Sequence, residues 1–303
     1  MIEGVMMRAP SAWAVAVRRP DGGLVGRRNR LPRLQERNPW ARIPFVRGIF
    51  VLAESLSLGF RALSWAAQKA AGDEEEPLTA AQIGWTMTLA LLFFAGVFIL
   101  LPAFGARFVA NESGLVFNIV EGVIRLALFV IYIWAIGRSK EIARVFEYHG
   151  AEHMSIHAYE AGEPLSVASV ARYDPAHPRC GTSFLLIVIL GSIVLFTFFG
   201  VPGLPFLVVS RLLGIPLIAG VAYEILRFSG TNPDGRLARV LAAPGLWLQR
   251  LTTGPPDEDQ IEVAIASLIT ALDEETLSEV LGRGGVPSSA LEVRRAAMAG
   301  EPL

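Results

Sequence analysis

The chain has 303 residues, of which 52% are hydrophobic and 18% charged, and its mean hydropathy is +0.46. That balance argues against an ordinary cytosolic enzyme and against disorder over most of the length, and a single cysteine, Cys180, excludes a disulfide-stapled secreted fold. The net charge of −1 hides a basic front end: twelve of the 27 Lys and Arg lie in residues 1–84, a bias that concerns membrane topology and gives no reason to expect a nucleic-acid partner.

Residues 1–44 read as a cytoplasmic segment. Ala12 to Val17 alternates small and large residues and runs through Arg19-Pro20-Asp21-Gly22-Gly23 to Leu24-Val25, which predicts a small β-hairpin at the membrane surface. Met1 to Pro10 has no apolar core of seven residues, so no signal peptide is expected and the first hydrophobic helix serves as the targeting signal. In residues 45–71 a helix is predicted from Phe45 to Ala70. Its polar residues Arg47, Glu54, Arg61 and Gln68 recur every seven positions and leave the rest of the circumference apolar, as in a helix that lies in the interface or packs on a bundle.

Residues 72–136 hold a solvated acidic linker, Asp73 to Glu76, and two predicted spans. Ile83 to Leu101 carries no charge over nineteen residues, enough to cross ~30 Å of hydrocarbon, and is left through Pro102. Leu115 to Ile136 carries Asn118, Glu121 and Arg125 on one face, which must look at protein: as an i, i+4 ion pair facing the bundle, or as a polar path or substrate headgroup site. In residues 184–228, apolar runs over 184–199 and 206–228 flank Gly200, Pro202, Gly203 and Pro205 and read as a transmembrane helical hairpin, with a re-entrant pair as the alternative. Residues 229–303 form a cytoplasmic helical tail with a turn at Asn232 to Gly235, an amphipathic helix from Gln260 to Leu272 and about twenty weakly ordered final residues.

The predicted fold class is therefore mainly α: a polytopic membrane bundle of about four spans, a small N-terminal β-hairpin and cytoplasmic helical segments. The loop from Gly105 to Ser113 contains only Arg107, whereas residues 137–183 contain Arg138, Lys140, Arg144, Arg172 and Arg179, which predicts cytoplasmic termini and a cytoplasmic central segment.

All four histidines lie in that segment, at His149, His153, His157 and His177. On a helix His149, Glu152, His153, His157 and Glu160 fall within a wedge of about 140°. Consecutive histidines are ~6 Å apart along the axis and can share an ion, whereas His149 and Glu160, ~16 Å apart, cannot. His149-x-x-Glu152-His153 matches the H-x-x-E-H arrangement of inverted zinc peptidases, in which two imidazoles bind Zn²⁺ and the glutamate is the general base. The alternative is a solvated or interface-packed helix whose histidines donate hydrogen bonds. A third ligand is needed. Candidates are Glu224, which could instead pair with Arg227 or Arg179, and His177 or Cys180; Cys180 could also be a nucleophile or a small buried residue.

Glu3-Gly4-Val5-Met6-Met7-Arg8-Ala9-Pro10, Tyr148-His149-Gly150-Ala151-Glu152-His153, His177-Pro178-Arg179-Cys180-Gly181-Thr182-Ser183-Phe184 and Tyr223-Glu224 together resemble the YqhQ-like family of bacterial multi-pass membrane proteins, whose function is unknown and which are described as metal-dependent enzymes. The likeness extends over almost the whole chain, including Leu251 to Thr253 and Glu262 to Ala264. Met154 stands where the family has a lysine. The resemblance implies a location in the bacterial cytoplasmic membrane, and its motifs supply Glu3, Arg8, Arg179 and Cys180, beside Glu121 and Arg125, as further candidate polar-site residues.

The expectation is a membrane-embedded, metal-dependent hydrolase facing the cytoplasm, with a divalent cation, zinc, on His149 and His153, completed by Glu224 or His177, with His157 as a further donor and Glu152 activating water. The other expectation is a transporter or oligomeric scaffold with structural histidines, organised by Asn118, Glu121 and Arg125. The bilayer is the expected partner, with self-association allowed.

Overall fold

The structure, a computed structural model, describes residues 1–31, 34–71, 80–110, 114–178, 180–198, 203–232 and 235–300. The acidic linker, Arg179 and the Gly200–Pro202 break lie outside these. Strands β1 (Gly4–Arg8), β2 (Ala12–Arg18) and β3 (Leu24–Arg30) form an antiparallel sheet in the order β1-β2-β3. The predicted hairpin is β2-β3, turned at Gly22 with φ +86°. The sequence reading missed β1, whose Gly-Val-Met-Met-Arg has no apolar–polar alternation because most of it is covered.

The small–large alternation of β2 has a packing reason. Ala14 and Ala16 face a core shared with Ile265 and Ile269, where short side chains let a helix approach closely, while Trp13, Val15 and Val17 face Leu58, Ala62 and Ala66. The sheet is thus a layer covered on both faces.

The helices follow as α1 (Leu34–Arg37), α2 (Val46–Ala71), α3 (Ala80–Ala95), α4 (Leu101–Val109), α5 (Gly114–Ile136), α6 (Lys140–Glu160), α7 (Val167–Val170), α8 (Thr182–Thr197), α9 (Leu204–Thr231), α10 (Arg236–Thr252), α11 (Glu258–Ala271), α12 (Glu274–Arg283) and α13 (Ser288–Ala299). Among the described residues four segments are long and apolar enough to cross a membrane: Val46–Ala71, Gly84–Val109, Gly114–Ile136 and Val209–Thr231. The number agrees with the sequence reading but the membership differs. Helix α8 has 16 residues and rises only ~24 Å, whereas α2 qualifies by length and composition although its second half packs beneath the sheet. Pro102 does not end the first span, because after a π-helical turn over Gly96–Leu100 the proline falls in the first turn of α4, as its second residue, and the helix continues to Val109.

The polar face of α5 is closed by α8 and α9. Glu121, 1% exposed, is paired to Arg125 and to Arg211; Arg125 also donates to the Phe98 carbonyl in the π-turn (2.9 Å) and to Ser192 Oγ (3.0 Å), and Arg211 donates to Asn118 Oδ1 (3.3 Å). Each such charge costs ~2.5–3.5 kcal/mol to insert, and here one carboxylate is shared by two guanidinium groups, from α5 and from α9.

The C-terminal region departs most from expectation. Every residue of α11 from Gln260 to Ala271, apart from Glu262, is buried, so α11 is a core helix between the sheet, α6 and α13, started by an Asp257/Gln260 capping box. The final residues, expected to be weakly ordered, include α13, which buries Ala290 and Val293 and sends Arg294 onto the carbonyls of Ile269 and Leu272 at the end of α11.

Candidate metal centre

Helix α6 begins at Ser139, whose hydroxyl accepts from Ile142 N–H, and it turns the His149–Glu160 wedge toward a cavity of about 740 Å³. The opposite wall is the end of β1 with its following turn: Met6, Met7, Arg8, Ala9 and Pro10 all line the cavity. Two ion pairs hold that strand. Glu3 pairs with Arg144 and accepts from Tyr148 Oη (3.1 Å) on α6, while Arg8 pairs with Glu54 on α2. Burial alone would raise the Glu3 pKa, but the hydrogen bonds from Arg144 and Tyr148 outweigh it and hold the carboxyl below the usual range.

Three histidines each have one ring nitrogen tied to a backbone carbonyl. His149 Nδ1 donates to Thr252 O (2.7 Å), His153 Nδ1 to Pro175 O (2.6 Å) and His157 Nε2 to Ala176 O (2.8 Å). A carbonyl can only accept, so each contact places a proton on the bonded nitrogen, and in a neutral ring the other nitrogen is then the one that offers a lone pair. Carbonyl-oriented imidazoles of this kind are the usual support for metal-ligating histidines.

The loops carrying those carbonyls are placed by close packing. Gly150 lies against the turn after α10, where a Cβ would sit 2.2 Å from Gly254 O, and Gly254 N–H donates to Phe146 O (2.9 Å). On the other side Gln249, fully buried on α10, grips the His177 backbone from both ends: His177 N–H donates to Oε1 (2.7 Å) and Nε2 donates to His177 O (2.9 Å). Gly245 on the same helix leaves room for Ser183, whose Oγ would lie 2.1 Å from a Cβ. Helix α10 thus sets the 173–183 loop against α6.

That loop delivers Cys180. Its Sγ lies 3.2 Å from His149 Nε2 and 3.0 Å from Thr182 Oγ1, and donor atoms of His149, His153 and Cys180 all fall within 4.8 Å of one another. The remaining histidines extend the row. Ring centroids are 4.4 Å apart for His149–His153, 5.7 Å for His153–His177 and 4.5 Å for His157–His177, and His177 Nε2 is 3.5 Å from Glu160.

Electrostatics prepare the donors. Burial lowers the pKa of His149 and, with the neighbouring imidazoles, that of His153 to about 3, so both rings are neutral near pH 7. Burial pushes the Cys180 thiol up, so it keeps its proton until something displaces it. Glu152 lines the same cavity, and burial pushes its carboxyl up to about 7, the range suited to exchanging a proton with water.

The structure therefore brings together His149, His153, Cys180, Glu152 and His177. It does not bring Glu224 to them: that carboxylate accepts from Arg47 Nε (2.7 Å) and from Phe45 N–H (3.2 Å), an ion pair that ties the start of α2 to α9 and that the sequence reading did not include. Glu121 and Arg125 belong to the cross-helix cluster, and Glu3 to the β1 anchor. Sequence reasoning missed Gln249, the orienting carbonyls and the methionine wall. The carbonyls have no signal in sequence, and Gln249, between Leu248 and Arg250, reads as one of two adjacent polar residues near a helix end.

Residues 43–274 match the family described as "Protein of unknown function (DUF1385)". The chain is 33% identical over 299 residues to "Uncharacterized protein YqhQ" of Bacillus subtilis (strain 168), covering 92% of each chain. No solved structure matches.

Proposed function

Since this chain belongs to the DUF1385 family, whose function is unknown, we propose its function from the site: a metal-dependent hydrolase at the cytoplasmic face of the bacterial cytoplasmic membrane, with His149, His153 and Cys180 as zinc ligands and Glu152 as general base. The observation that carries this reading is the convergence of ring nitrogens of His149 and His153 with the Cys180 thiol, within 4.8 Å of one another, while both rings are tied to backbone carbonyls. The donors fit the metal: neutral imidazole and thiolate are borderline-soft ligands, and three protein ligands is the number used by catalytic zinc. Zinc held there supplies a Lewis acid that makes water ionisable near neutral pH.

The other steps fall to the chain itself. Glu152, on the same face as both histidines, takes the proton from water and returns it to the leaving group. His177 and Glu160 extend the polar floor, and Thr182 supports Cys180. The remaining wall, with Met6, Met7, Ile156, Leu268 and Leu272, is apolar and suits a substrate with an apolar part. The basic segment over 137–183 supports the cytoplasmic placement.

A transporter or scaffold reading would draw on Asn118, Glu121 and Arg125, but these are already engaged with Arg211 and Ser192. Elemental analysis of detergent-purified protein tests the proposal. Wild type and Glu152→Gln should carry stoichiometric metal and His149→Ala should not; a wild type that takes up no metal after zinc exposure overturns it.

A further inference from the structure

A second cavity, of about 380 Å³, lies between α2 and the edge strand β3, away from the histidines. Trp13 and Trp65 form its walls, and Arg27, Arg61, Asn29 and Gln68 supply its polar groups, with Ser64 and Phe60 at the α2 side. Among the described residues no carboxylate lines it. Among the described residues Arg27 and Arg61 form no ion pair, and Asn29 Nδ2 is buried without a hydrogen-bond partner. The site thus offers two guanidinium groups and an unused amide donor, a set that selects an anion with several acceptor oxygens.

The neighbouring surface identifies where that anion comes from. Ile49, Leu56, Phe60 and Leu63 are 38–65% exposed and fall within about 60° of arc on α2, an apolar stripe that no other described element covers. The buried line Leu58, Ala62, Ala66 runs along a different side of the helix, under the sheet. With its second half, Leu58 to Ala66, packed beneath the sheet, α2 is held flat there, so the stripe is satisfied when α2 lies in the membrane plane with the stripe toward the acyl chains. Phe60 belongs to both stripe and cavity, and Arg61, Ser64 and Gln68 follow round the helix. That places the cavity one step above the acyl chains, at headgroup depth.

We propose that the α2–β3 cavity binds the phosphate headgroup of an anionic phospholipid, with Arg27 and Arg61 on the phosphate, Asn29 and Gln68 on neighbouring oxygens and the acyl chains leaving over Phe60. The site is independent of the metal centre. It fixes the depth of the sheet, and with it the β1 wall of the large cavity.

Native mass spectrometry of the detergent-purified full chain, titrated separately with phosphatidylglycerol, phosphatidylcholine and inorganic phosphate, tests this. Wild type should retain phosphatidylglycerol in preference to phosphatidylcholine, and Arg27→Gln/Arg61→Gln should weaken that binding by about ten- to thirty-fold. Arg27→Lys/Arg61→Lys, which keeps the charge, should recover most of it, which separates loss of the site from loss of folding. Equal phosphatidylglycerol binding by wild type and the Gln variant overturns the proposal, as does inorganic phosphate that displaces the lipid at equal concentration.

Discussion

Gly150 is where α6 and the turn after α10 come closest, and its replacement by alanine tests whether that contact positions the metal ligands. The added methyl would lie 2.2 Å from Gly254 O and 3.2 Å from Pro175 Cβ. Carbon and oxygen without a bond between them repel well outside 2.2 Å, so the turn must retreat by about 1 Å. The same seam carries the bond from His149 Nδ1 to Thr252 O at 2.7 Å, which such a retreat stretches to about 3.7 Å, beyond hydrogen-bonding range. Overpacking of this kind costs about 1–3 kcal/mol, and loss of an orienting partner lowers metal affinity about 10–100-fold. Zinc competition against a chromophoric chelator measures the second effect and the thermal midpoint the first. A folded Gly150→Ala protein with wild-type zinc affinity would refute the link between this seam and the ligands.

Metal loading at pH 7 should release about one proton, because the Cys180 thiol is protonated while His149 and His153 are neutral; calorimetry in buffers of different ionisation enthalpy reads this, and identical release by Cys180→Ala would exclude Cys180 as the donor. Glu3 has a folded pKa below its ordinary 4.5, so its contribution to stability is present above that value and fades as pH falls through the folded value. Glu3→Gln should therefore melt below wild type at pH 7, with the gap narrowing as pH falls below 4.5; a gap that does not change with pH counts against the Arg144 pairing. Glu121→Ala leaves Arg125 and Arg211 buried without a carboxylate, which should cost about 3–5 kcal/mol in detergent unfolding, and a variant as stable as wild type would show that the cluster is not a structural clamp.

Much of this protein is legible without coordinates because the relevant physics is local. Apolar runs of fixed length read as helices able to cross a membrane, and the 3.6-residue period places His149, Glu152, His153 and His157 on one face. The small–large alternation of β2 likewise announces a strand, although not that both of its faces would be covered. Where the sequence reading went astray, a distant partner decided the outcome. Alternation is lost in β1 because cover removes the need for a polar face, α13 is ordered by Arg294 reaching the end of α11, and Glu224 is engaged by Arg47, 177 residues away.

The metal centre divides along the same line. Its two imidazoles are four residues apart on one helix, so the sequence alone determines that they can share an ion. The third donor, Cys180, is 31 residues from His149, and the carbonyl that orients His149 is 103 residues away. Neither spacing has a period to read. Their convergence rests on α10 packing through Gly245 and Gln249 against the 173–183 loop and through Gly254 against Gly150, contacts that depend on shape complementarity between helices and so exist only once the chain has folded.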